Sequence, residues 1–209
     1  MNRMEILNYF IKKNNFISYL EIGVCSGECF SGVDCENKTG VDPAPKNFKN
    51  SDVFIMTSDL FFETLDKDDK YDLIFIDGLH LEEQVDKDIE NSLLHLSSNG
   101  LIVLHDVNPK SKYSAREDYD DWSTPAGRGW NGTAYKSIIK LRCNNPDVYV
   151  YTIDTPDDES CGVLNPRKKQ DIFDDVSCGD LLNDFDLFFS NKQKILNLIS
   201  VEDFKTMED

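Results

Sequence analysis

Nine residues, Tyr19-Leu20-Glu21-Ile22-Gly23-Val24-Cys25-Ser26-Gly27, constrain this chain most: an apolar run breaks at one glycine, and a second glycine follows four positions later. A strand ending at Gly23 can turn tightly without a Cβ clash, and Gly27 lets backbone approach a ligand closely. Gly40-Val41-Asp42-Pro43 then brings a carboxylate 19 residues after Gly23, at the expected end of the next strand, where it can accept both hydroxyls of a ribose. The pairing points to an adenosine-bearing ligand. A dinucleotide fingerprint, G-x-G-x-x-G, would need glycines at 25 and 28, where the chain has Cys25 and Glu28. That disfavours a nicotinamide-dependent oxidoreductase. Glu21, inside the first strand, is a poor neighbour for a pyrophosphate and a sensible one for a cationic sulfonium with an amino-acid tail.

Apolar spacing along the rest of the chain alternates between two periods. Met4, Leu7 and Ile11, with Phe10 beside them, form a helical stripe over 3–14. Strands are expected at 18–23, 39–42, 52–57, 71–77, 101–104, 148–153 and 161–164, with helices at 27–33, 59–65 and 134–142. Leu81, Val85, Ile89, Leu93 and Leu96 predict a further helix over 81–97, stopped by Asn99-Gly100 and enclosing His95 as a structural residue. Strands alternating with helices imply a parallel sheet covered on both faces. The link between 148–153 and 161–164 is too short for a crossover, so the last strand must run antiparallel. Gly23, Asp42, Thr57-Ser58, Asp77 and His105-Asp106 all fall at carboxyl ends of strands, where open parallel sheets bind ligands.

The ordered set resembles the class I S-adenosylmethionine-dependent methyltransferases, in the branch with D-G-x-H and H-D strand ends. It comprises the Glu21-x-Gly23-x-x-x-Gly27 run, Thr57-Ser58-Asp59-Leu60, Asp77-Gly78-Leu79-His80 and His105-Asp106, and covers about residues 19–165. The resemblance implies a Rossmann-like α/β fold with a seven-stranded, mostly parallel sheet, an antiparallel last strand and helices on both faces. It also implies S-adenosylmethionine as cofactor. Glu21, Gly23 and Gly27 would line its methionine portion, Asp42 would hold the ribose, Ser58 and Asp59 would lie near the adenine, and Asp77 would complete the cofactor site. Ser58-Asp59 has a second reading as an N-cap before Leu60.

Methyl transfer is an in-line displacement on an activated sulfonium, so the protein's task is to align an acceptor and remove its proton. His80 and His105 are the candidate bases, with Asp106 beside them; each imidazole could instead cap a helix or bond a strand end. Asp77 and Asp106 stand where some O-methyltransferases of this fold hold a divalent cation such as magnesium, but His105 stands where an acidic or amide partner would match better. The function these residues imply is methylation of a small molecule or sugar, at oxygen. The rivals are a catalytically silent methyltransferase-like domain and the oxidoreductase.

Length and charge bound the remainder. The 209 residues divide into a methyltransferase-like domain at 1–165 and an extension at 166–209, whose apolar residues call for helices docked on the domain or on a second subunit, as in a homo-oligomer. A net charge of −17 without a basic run excludes nucleic acid and anionic membrane as partners. The first residues lack a signal-peptide pattern and no apolar stretch reaches the length of a span, so a cytoplasmic protein is expected. Six cysteines without a C-x-x-C pair read as reduced thiols, and Asn131-Gly132-Thr133 matches a glycosylation acceptor by letters only. Residues 107–131 form a long link carrying Tyr113, Tyr119, Trp122, Trp130 and an acidic run at 117–121. That content favours a substrate lid over a mobile insertion.

Overall fold

The structure, a computed structural model, describes residues 1–46, 48–155 and 158–207. The chain folds as two compact units: Met1–Leu79 with Glu83–Leu104, and His80–Glu82 with His105–Asp209.

The first unit follows the expected alternation: α1 (Arg3–Asn14), β1 (Ser18–Ile22), α2 (Glu28–Gly32), β2 (Asn37–Val41), β3 (Val53–Phe54), α3 (Ser58–Thr64), β4 (Tyr71–Ile76), α4 (Glu82–Leu94) and β5 (Leu96–His105). Its strands lie in the order β3-β2-β1-β4-β5, every pair parallel. Leu73, Ile74, Phe75 and Ile76 are all buried, as a strand covered on both faces requires. The strand order reverses beside β1, so the chain's glycine turn sits at the switch point where such sheets bind ligands.

Two expectations about the α4 to β5 passage are corrected. The helix ends at Leu94, with His95 in the turn after it and its Nδ1 2.9 Å from the Asp69 carbonyl oxygen. Asn99-Gly100 does not stop the helix but lies within β5. Leu96 pairs with Tyr71 and Leu101 with Leu73, so five residues advance on one strand against two on the other, and Asn99-Gly100 lies in that irregularity. Strand β3, expected over 52–57, is only two residues long.

The second unit contains α5 (Tyr135–Asn144), β6 (Tyr149–Ile153), β7 (Cys161–Asn165), α6 (Cys178–Asn183), α7 (Phe185–Ile195), β8 (Leu198–Ile199) and α8 (Val201–Thr206). Strand β7 runs antiparallel to β6, as its short link requires, while β8 adds a parallel pairing on β6 that the seven-strand expectation lacks. Leu181, Phe188, Ile195, Leu196 and Phe204 of the segment after Asn165 are buried, while Ile172 and Phe189 are exposed. Among the described residues no helix is long and apolar enough to cross a membrane.

Candidate active site

In the first unit the candidate cofactor residues gather around the β1 turn. Gly23 has φ +91°, and a Cβ there would run into the Asp77 carbonyl at the end of β4. The glycine is therefore required both by conformation and by the closeness of the neighbouring strand end. Cys25 also adopts a left-handed φ of 48°, and its amide donates to Asp42 Oδ2 at 2.7 Å. Asp42 Oδ1 accepts from the Ala44 amide at 2.7 Å, so one carboxylate ties the β2 end to the glycine turn. The Lys46 amide donates to the Cys25 carbonyl at 2.8 Å, and the Phe48 ring lies where a Cβ on Gly27 would stand.

Glu21 is buried and accepts from the Tyr19 hydroxyl at 2.5 Å. Burial pushes its carboxyl up to about 7, with the Asp77 charge adding to the rise and Tyr19 opposing it. Asp77 Oδ2 accepts from Arg3 Nη1 at 3.0 Å.

Thr57, rather than Ser58 or Asp59, caps α3, accepting from the Leu60 amide at 3.3 Å. Gln84 Nε2 instead donates to Ser58 Oγ at 3.2 Å, Asp59 Oδ1 at 2.9 Å and Asp88 Oδ1 at 3.2 Å. Burial pushes the Asp88 carboxyl up to about 6. Gln84 and Asp88 went unnoticed in the sequence, where they read as the polar part of an amphipathic helix.

In the second unit the candidate catalytic residues converge on Asp106, a non-glycine residue at φ 60°. His105 Nδ1 lies 2.9 Å and His80 Nδ1 3.2 Å from its Oδ2. Its Oδ1 accepts from Asn131 Nδ2 at 2.8 Å, and the same amide reaches Glu159 Oε2 at 3.0 Å. His105 is buried, and its Nε2 is 2.8 Å from the Asp158 carbonyl oxygen. Both ring nitrogens of His105 therefore face oxygen atoms, which hold the ring in place. Asn108 Nδ2 reaches Ser160 Oγ at 3.2 Å and Asp154 Oδ1 at 3.4 Å, while its Oδ1 accepts from Lys192 Nζ of α7 at 3.1 Å.

His80 is fixed from three sides. Its carbonyl accepts from the Thr133 amide at 2.7 Å, and the Glu82 amide donates to Thr133 Oγ1 at 2.8 Å. Gly132 has φ +59°, and a Cβ there would collide with the His80 carbonyl. The Trp130 ring stacks on the imidazole. The Trp130-Asn131-Gly132-Thr133 run therefore holds the site together; in sequence Trp130 reads as one of the link's aromatic residues and Asn131-Gly132-Thr133 as a glycosylation pattern, and Asn131 is 2% exposed.

The 107–131 segment has no helix or strand, yet it is internally ordered. Arg116 Nη1 donates to the Tyr113 and Gly129 carbonyls at 2.7 and 2.8 Å, and Nη2 to the Gly127 carbonyl at 3.0 Å. Trp130 Nε1 returns a bond to the Arg116 carbonyl at 2.8 Å. Tyr113, Tyr119 and Trp122 remain exposed.

Residues 20–107 match the family model described as a methyltransferase domain. Two solved structures are similar in fold. An SAH-bound methyltransferase from Podospora anserina aligns at 18% identity with a TM-score of 0.58, covering 81% of this chain and 78% of that one. An O-methyltransferase from Bacillus cereus, also in complex with SAH, aligns at 15% identity with a TM-score of 0.52, covering 78% and 80%. No curated protein matches the chain in sequence.

Proposed function

We propose that the protein transfers the methyl group of S-adenosylmethionine to a hydroxyl of a small molecule or sugar, with His80 as the base. The observation that carries this reading is His80 itself: Nδ1 lies 3.2 Å from the Asp106 carboxylate, and the ring is stacked under Trp130. A buried carboxylate at that distance stabilises the imidazolium formed when Nε2 takes a proton.

The residues of the first unit fit the cofactor's chemistry. Asp42, at the end of β2, keeps its backbone amide partners and offers its remaining lone pairs to the ribose hydroxyls; Ser58, Asp59 and Gln84 supply acceptors and donors for the adenine. Glu21, Gly23, Gly27 and Asp77 serve the methionine end. When bound, the cofactor supplies a methyl group on a sulfonium that needs no further activation. His105, buried and held at both ring nitrogens, positions Asp106 rather than exchanging a proton with the acceptor.

The groups bonded to Asp106 do not by themselves build a magnesium site. Hard cations take oxygen ligands, whereas this carboxylate is flanked by two imidazoles and an amide donor. No step of the proposal runs through a metal.

Titration calorimetry with S-adenosylmethionine, S-adenosylhomocysteine and NADH tests the cofactor, and a panel of sugars and phenols with methyl-labelled cofactor tests transfer. Binding of the first two with label transfer that His80→Gln removes is the expected result. Binding without transfer to any acceptor would favour the silent domain, and binding of NADH alone would overturn the reading.

A further inference from the structure

Arg3 is the first helical residue of α1, directly after the Asn2 cap. A cation there opposes the helix dipole, whereas the other charges of α1 obey it: Glu5 lies in the first turn, and Lys12 and Lys13 in the last. What Arg3 gains lies across the unit. Its Nη1 donates at 3.0 Å to Asp77 Oδ2, 74 residues away, at the end of β4, and its positive charge also acts on Glu21 of the neighbouring strand β1. The pair is reachable from solvent, with side-chain exposures of 35% for Arg3 and 15% for Asp77.

The methionine end of S-adenosylmethionine carries an ammonium and a carboxylate on one carbon. Glu21 and Asp77 beside the glycine turn match the ammonium but repel the carboxylate. A guanidinium in the same cluster supplies the missing complement, and its planar fork suits a carboxylate better than a lysine would. We propose that Arg3 binds the carboxylate of the cofactor's amino-acid tail, held beside the glycine turn by the Asp77 carboxylate it already pairs with; this rests on the cofactor reading above. Arg3 thereby makes α1 part of the cofactor site rather than only a cover for the sheet.

Calorimetry with three compounds tests it: S-adenosylmethionine, S-adenosylhomocysteine and 5′-methylthioadenosine, which keeps the nucleoside and sulfur but lacks the amino-acid tail. Arg3→Gln should weaken the first two by roughly 10- to 100-fold and leave methylthioadenosine within about twofold, as loss of one charge-assisted contact requires. Arg3→Lys should fall between, and retained methylthioadenosine binding shows that the variant's nucleoside site is folded. Equal losses for all three compounds, or none, would overturn the assignment while leaving the cofactor reading intact. A wild-type protein that binds none of them would overturn both.

Discussion

Trp130 lies flat against His80, with ring centroids 5.0 Å apart and planes 11° from parallel. The contact restricts an imidazole that otherwise turns about two side-chain torsions, and Trp130 is itself held by its bond to the Arg116 carbonyl. Under the proposed mechanism, Trp130→Ala lowers kcat by roughly 10- to 100-fold through misplacement of the base, with cofactor affinity unchanged. Release of S-adenosylhomocysteine measured alongside calorimetric Kd separates the two quantities; a loss confined to Kd would contradict the role given to Trp130.

Asp42 has two duties, holding the Cys25 and Ala44 amides and, in the proposal, the ribose. Asp42→Ala removes both, so binding of S-adenosylmethionine should weaken at least about 100-fold, the scale of two charge-assisted hydrogen bonds. Unchanged calorimetric affinity would take Asp42 out of the cofactor site.

Gly132→Ala puts a methyl group against the His80 carbonyl in a left-handed conformation. We expect about 1–3 kcal/mol of destabilisation, read from the urea midpoint, because strain and collision act at one residue. His80 should lose its fixed position too, so methyl transfer falls further than the stability loss accounts for.

Glu21 makes stability depend on pH. Its carboxyl titrates near 4.5 when the chain is unfolded and at about 7 when folded, because burial favours the neutral form. Between those values the folded chain keeps a proton that the unfolded chain has released, so stability falls as pH rises through the window, and the full penalty stands above it. A move from 4.5 to about 7 corresponds to roughly 3 kcal/mol at most. Glu21→Gln, which still accepts from Tyr19, should therefore raise the urea midpoint relative to wild type at pH 8 and not at pH 4. Asp88, also pushed up by burial, leaves a smaller slope of the same sign in the variant.

Much of this fold is written locally. The all-apolar Leu73–Ile76 run announces a covered strand, and the Gly23 turn announces a strand end at which backbone comes close. Where local pattern and long-range bonding disagree, the pattern misleads. Leu96 completes the apolar stripe of α4, yet it pairs with Tyr71, and Asp72 accepts bonds from the Ile17 and Ser18 amides and from the Ser18 and Ser97 hydroxyls. No helical period carries information about partners that far apart. The candidate site divides the same way. His105 closes β5, and Asp106 and Asp42 directly follow β5 and β2, positions that the local pattern marks, whereas Asn131 finds its partners 25 and 28 residues away and Arg3 finds Asp77 74 residues away. Thr57 outcompetes its neighbours for the cap, a contest between adjacent hydroxyls that composition does not settle.

The β8 pairing has a consequence for how the chain behaves in a crowd. The Asn197 carbonyl accepts from the Thr152 amide at 3.2 Å, its side-chain amide donates to the Val150 carbonyl at 3.1 Å, and the Asp154 amide donates to the Ile199 carbonyl at 2.9 Å. These bonds occupy one side of Tyr149-Val150-Tyr151-Thr152-Ile153, a segment of aromatic and β-branched residues without a charge or a proline. A chain cut short before β8 would present that side as a bare template for the strand of another molecule. The last residues thus guard against aggregation, and a truncated form should precipitate before it loses its fold.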